Sequence, residues 1–154
     1  LNAIENNKSG KPRIRFYEGT EGVKQVYNET LSEKRGGEIL CIGSAEKIMA
    51  ILGEKWAKEY LKRRKGRLLK MRAIIEDSEA GRERKKNDAL EMRQTILLPK
   101  GKFPFNNEIN IQGNKVYIAS YGELFGVIIE SRDVARTMTS FFELAWVGAK
   151  AQQT

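Results

Sequence analysis

With no histidine and a single cysteine, Cys41, this 154-residue chain has few routes to chemistry. A serine-hydrolase triad needs an imidazole base, and there is none. One thiol without a histidine does not make a zinc centre, and it leaves no disulfide framework within one chain. Cys41 lies in the apolar run Ile39-Leu40-Cys41-Ile42 and reads as a small buried hydrophobe. The glycines form neither GxGxxG nor a P-loop, so no nucleotide cradle and no cofactor is expected. What remains is binding chemistry. Glu18, Ser44, Glu46, Asp77 and Glu108 are the candidates, with Arg72 or Arg93 as cationic partners. The carboxylates would accept hydrogen bonds from ligand hydroxyls. Ser44 and the free N–H groups of the helix it opens would hold an oxygen. Each of these residues also has a plainer reading, as a helix cap or a surface charge.

A second set of candidates is cationic. Residues 55–67 include Lys62, Arg63, Arg64 and Arg67, which could meet nucleic-acid phosphates and release counterions. The same cations suit the C-terminal end of a solvated helix, where the dipole favours positive charge. Trp56, Tyr60 and Leu61 fall on the apolar stripe of that helix and read as core, not as a stacking platform. The run Arg82-Glu83-Arg84-Lys85-Lys86 reads as a solvent-exposed helix. A net charge of +8 favours phosphate-rich partners. It is also common in domains that sit beside a DNA-binding module.

Positioning these residues requires alternating strands and helices. Residues 6–12 are polar and rich in turn formers and read as a linker, so residues 1–10 are a linker or the end of a connecting helix. Residues 13–17 alternate like a half-buried strand. Residues 19–34 form a helix with Val23, Val26, Tyr27, Thr30 and Leu31 on one face and Thr20 as N-cap. Residues 38–43 are apolar enough for a buried central strand. Ser44 caps a helix running to about residue 65, bent at Gly53. A strand at 70–77, a helix at 79–90 capped by Ser78 and a strand at 93–99 follow. Three short strands at 108–112, 115–120 and 124–131 lead to a last helix at 132–150, capped by Ser131. Its predicted core face is Val134, Met138, Phe141, Phe142, Ala145 and Trp146. The order implies one α/β domain over 11–150, a mixed sheet with helices on both faces. Ligands of such sheets sit beyond the carboxyl ends of the strands, here Glu18, Ser44 and Asp77.

Apolar residues at 40% and charged residues at 31% are ordinary for a soluble globular chain. No apolar run approaches the length needed to cross a bilayer, and the chain opens without the features of a signal peptide. A cytoplasmic protein without membrane contact is expected, and a chain that starts at Leu1 without Met suggests a piece of a longer one.

Two resemblances sharpen the reading. The strand-turn-strand block EINIQGNKVYIASYGELFGVIIES resembles a segment of phospholipase D-type enzymes. Their chemistry needs a histidine nucleophile, a lysine and an acid. Aligned on the Gly113-Asn114-Lys115 turn, those places hold Phe105, Asn107 and Gln112. The shape resembles the enzymes while the catalytic set is missing, so no enzyme is expected. Over roughly residues 11–147, KPRIRFYEGTEGVKQVYNETL, EILCIGSAEKI, the block above and FFELAW together resemble the C-terminal domain of TrmB-like transcriptional regulators. That resemblance implies a phospholipase D-like effector-sensing and dimerisation domain. It implies a homodimer, a small-molecule effector such as a sugar or phosphorylated metabolite, and DNA bound by a helix-turn-helix upstream of Leu1. Residues 1–7 would end a connecting helix. The alternatives are a diverged phosphodiesterase or nuclease, and a nucleic-acid-binding module acting through residues 55–72.

Overall fold

Strand β1 (Arg13–Glu18) turns directly into helix α1 (Gly19–Thr30), and Gly19 makes the turn with φ +71°. The cap of α1 is Glu18, without a side-chain hydrogen bond, and not Thr20 as the sequence suggested. The Gly19 N–H is satisfied instead by the Leu124 carbonyl at 2.7 Å. The computed structural model describes residues 10–153, so the linker and connecting-helix readings for the first residues lie outside it, Gly10 excepted.

Next come β2 (Glu38–Gly43), α2 (Ala45–Leu52) and α3 (Glu54–Gly66). The predicted single bent helix is two helices. Gly53 stands between them at φ +81°, a conformation that ends one helix and opens the next. Then follow β3 (Lys70–Glu76), α4 (Glu79–Lys86), β4 (Arg93–Leu98), β5 (Asn107–Gln112), β6 (Lys115–Ser120), β7 (Phe125–Glu130) and α5 (Arg132–Ala151). Ser44, Ser78 and Ser131 cap α2, α4 and α5 through their hydroxyls, as read from the sequence.

The seven strands form one mixed sheet in the order β1-β7-β6-β5-β2-β3-β4. β2, β3 and β4 are parallel and joined by helical crossovers, and the other neighbours are antiparallel. α5 covers one face with Ala135, Phe142, Trp146 and Ala149 against Leu40, Ile74, Ile96, Ile111 and Val116. α1 to α3 pack on the other face through Val23, Tyr27, Ile48, Leu52 and Tyr60. Val134 and Phe141 of the predicted α5 core are exposed instead. Close approach of α1 to the sheet depends on two glycines. A Cβ on Gly22 would lie 2.6 Å from the Tyr17 carbonyl carbon, and one on Gly126 would overlap the Val26 side chain.

Candidate functional site

A strand sends alternate side chains to opposite faces of its sheet. On β5 this places Glu108, Asn110 and Gln112 on the α1–α3 side, buried, where an apolar sequence would be expected. Cys41 of β2 lies directly opposite Asn110 in the register. Between this polar ladder and α2–α3 is a cavity of about 80 Å³, walled by Tyr27, Ile48, Leu52 and Tyr60 and reached by Cys41, Glu108 and Asn110. Glu108 is 5% exposed. The Cys41 thiol donates to its Oε1 at 3.6 Å. Among the described residues, Glu108 Oε2, Asn110 Oδ1 and both amide atoms of Gln112 have no hydrogen-bond partner. Burial pushes the Glu108 carboxyl up to about 8, with the Asn110 amide pulling it back. Burial likewise raises the Cys41 thiol to about 11, against the attraction of Arg93 and Arg64.

The other end of the cavity is cationic. Arg64 is 1% exposed, donating to the Leu69 carbonyl at 2.6 Å and to the Glu91 carbonyl. Burial and then the nearby Arg93 lower its pKa to about 10. Arg93 also lines the cavity, and its Nε has no partner among the described residues. The buried Glu91 carboxylate pairs with Arg84 at 3.0 Å and reaches Arg93 at 4.0 Å.

A larger polar cleft, about 720 Å³, opens at the strand ends above the same region, bounded by Lys47, Asn106, Asn107, Ser120, Tyr121 and Glu123. Ser44 does not line it but is bonded to two residues that do; it is 1% exposed, with its Oγ accepting from the Lys47 N–H at 3.3 Å. Its own N–H donates to the Tyr121 hydroxyl at 2.7 Å. Burial and then the neighbouring Glu108 push the Tyr121 phenol well above its ordinary value. A side chain on Gly43 would collide with that hydroxyl and approach Glu108 Cγ to 2.9 Å, so glycine is what lets Tyr121 and Glu108 pack this close to the end of β2. Lys47 Nζ donates to the Phe105 carbonyl at 2.7 Å, and buried Glu76 accepts from the Phe105 N–H at 3.0 Å.

Of the residues singled out by sequence, the fold brings Ser44 and Glu108 together through Tyr121, and Arg93 to the far end of the same cavity. The others are dispersed. Glu18 is exposed on the edge strand, four strand spacings or about 19 Å from β2. Glu46 pairs with Lys100 at 3.2 Å and Asp77 with Arg82 at 2.6 Å, both on the surface. Arg72 belongs to the opposite face, bound to Glu143 at 2.6 Å and lying 5.3 Å from the Phe142 and Trp146 ring centres. The basic segment is also revised. Arg64 is interior and cannot meet a phosphate outside. Arg63 bonds Asn28 Oδ1 at 2.7 Å and Arg67 the Glu33 carbonyl at 2.6 Å, tying the end of α3 to α1 and the loop after it. Lys62 is exposed. Phe105 packs against the α5-side core, Asn107 lines the cleft and Gln112 is buried.

Asn110, Lys47, Glu91 and Tyr121 were missed. The one available sign was the repeat of polar residues at 108, 110 and 112 alternating with Ile109 and Ile111. It marks a strand, but not which face is buried.

α5 has a second apolar face. Phe141, Leu144 and Val147 are 57%, 71% and 69% exposed, opposite the face that packs on the sheet. Ile14 and Phe16 are also exposed at the β1 edge, where Phe16 stacks on Phe125 with ring centres 5.5 Å apart. Among the described residues no helix is long and apolar enough to cross a membrane.

No family model matches the sequence, and no curated protein matches it. Among solved structures, the fold is similar to that of TrmBL2, described as an archaeal chromatin protein with a novel mode of DNA binding. The TM-score is 0.60 and the sequence identity 18%, and the likeness covers 94% of this chain and 55% of that one. This chain therefore spans about half the length of TrmBL2, and at that identity the likeness shows a shared fold.

Proposed function

We propose that the chain is the sensing and dimerisation domain of a TrmB-like transcriptional regulator. In this reading the sheet is a phospholipase D-like scaffold that binds without turning over, and a helix-turn-helix upstream contacts DNA. The likeness to TrmBL2, a DNA-binding chromatin protein, supports the class. The observation that carries the reading is the second apolar face of α5. A helix apolar on two sides is stable in water only when the second side is covered, and a homodimer pairs such a face with its own copy.

The effector site in this reading is the strand-end cleft. Its volume of about 720 Å³ lies in the range of small-molecule sites. Lys47, Asn106, Asn107 and Ser120 offer the ammonium, amide and hydroxyl groups that a sugar or phosphorylated metabolite would use. An effector alters the dimer only if it binds two dimer geometries with different affinity.

Sedimentation equilibrium tests the carrying observation. The wild-type chain is expected to be a dimer. Leu144→Glu places a charge in the interface and is expected to give a folded monomer, because Leu144 is exposed in the single chain, with a melting temperature lowered only by what dimerisation contributes. A monomeric wild type at every concentration would remove the dimerisation half of the proposal.

A further inference from the structure

The interior cavity is distinct from the effector cleft, and its polar composition needs an explanation of its own. Nearly all buried polar groups in folded proteins have partners. Here Glu108 Oε2 and Asn110 Oδ1 have none among the described residues, and both belong to residues at least 95% buried, with relative exposures of 5% and 3%. Arg93 Nε is a third orphan on the same void. Three guanidinium groups, Arg64, Arg84 and Arg93, stand around a single carboxylate, Glu91. The region is short of one or two negative charges. The polar residues also lie apart in the sheet: Asn110 is opposite Cys41 on β2, while Arg93 is opposite Met71 on β3.

The size narrows the occupant. A cavity of about 80 Å³ is several times larger than one water requires and about half the volume that admits benzene. It has room for roughly half a dozen non-hydrogen atoms at most. The apolar walls of Ile48, Leu52 and Tyr27 suit a short carbon skeleton between two polar ends.

We propose that this cavity binds a short hydroxy acid, its carboxylate meeting Arg93 and Arg64 and its hydroxyl meeting Glu108 and Asn110. The hydroxyl fits because a neutral Glu108 carboxyl both donates and accepts, and Asn110 Oδ1 accepts. An acid of this size without the hydroxyl leaves Glu108 and Asn110 orphaned. The inference goes beyond the regulator reading and depends only on the cavity.

Thermal unfolding of the full chain at constant ionic strength provides the test, with glycolate, lactate, acetate and chloride as probes. Glycolate or lactate is expected to raise the melting temperature in a saturable way and acetate less, with chloride as baseline. Glu108→Met, which removes the donor and acceptor at similar size, is expected to weaken glycolate binding about tenfold and bring it to the level of acetate, as loss of one buried hydrogen bond implies; Glu108→Gln, which still donates and accepts, is expected to keep the preference for glycolate. Arg93→Gln is expected to abolish the response to both acids. A response equal to chloride, or one that survives Arg93→Gln, overturns the proposal. If Arg93→Gln does not fold, nuclear Overhauser effects on the wild type decide. Contacts from the glycolate methylene to Ile48 and Leu52 side chains support the site. No contacts, or contacts only elsewhere, mean that water alone fills it.

Discussion

Glu108 is comfortable in the sheet interior only while it carries a proton, because burial penalises the ionised form. In the unfolded chain its carboxyl titrates near 4.5, and in the fold near 8. Between these values the unfolded state releases a proton that the folded state keeps. Stability is therefore full below the lower value, falls by up to about 1.4 kcal/mol per pH unit across the window, and the loss is complete above the upper one. Glu108→Gln is expected to flatten this dependence, so that the variant gains on wild type as pH rises. Urea unfolding at a series of pH values measures it, and parallel curves for the two proteins would contradict it. Arg64 makes a second point at this scale. Its guanidinium is held by two backbone carbonyls. Arg64→Ala leaves them unpaired and opens a void, and is expected to cost about 3 kcal/mol or more. Arg63→Ala removes one exposed contact and is expected to cost less than about 1 kcal/mol. Equal, small losses in urea unfolding would contradict the interior role. In sequence these two arginines are indistinguishable, since both sit in a basic run. The helical phase that turns Arg64 inward with Tyr60 was available, but a charged residue at that phase reads as surface unless the fold supplies buried carbonyls to receive it.

At the scale of elements, apolar periodicity located the strands and most helices, because each buries one face against the sheet or is buried on both; α4, whose one buried residue is Gly81, was marked instead by its Ser78 cap and its charge run. Its failures have local physical causes. Gly53 splits one predicted helix in two because its positive φ cannot continue a helix. α1 stops at Thr30 and not at 34, and α4 at Lys86 and not at 90; beyond α4 the Asp88 carboxylate is taken up by the Thr95 N–H and hydroxyl. The exposure of Val134 and Phe141 has a different origin. The apolar residues of α5 are spread around most of its circumference, so sequence alone could not decide which arc meets the sheet. The structure assigns Ala135, Phe142, Trp146 and Ala149 to that arc. The seating of α1 is the tightest contact between layers. Gly22→Ala puts a methyl group against the Tyr17 backbone, which cannot yield as a flexible side chain would. A loss of about 1–3 kcal/mol is expected from such overpacking, measurable as a lower urea midpoint with an unchanged slope. An unchanged midpoint would show that α1 rides higher on β1 and β7 than described.

For the molecule as a whole, strand order decided which candidate residues became neighbours. Alternation of elements along the chain gave the α/β class, but it did not show that β1 pairs with β7 at the far edge or that β5 inserts beside β2. That order separates Glu18 from Ser44 and brings Glu108 of a late strand against Cys41 of an early one. Half of the site was thus visible as residue types, and its assembly depended on long-range pairing that no local pattern encodes. The same order leaves one helix, α5, alone on its face of the sheet, with an apolar outer surface. The account of this protein as an assembling recognition domain depends on what covers that surface. Cys41 is buried, so a cysteine introduced at Arg136, on the exposed flank of α5, can be spin-labelled selectively. Double electron–electron resonance between copies then reads the interface directly. The account predicts one short, well-defined inter-label distance that disappears in Leu144→Glu; no dipolar signal in the wild-type background, or a distance indifferent to Leu144→Glu, would contradict it.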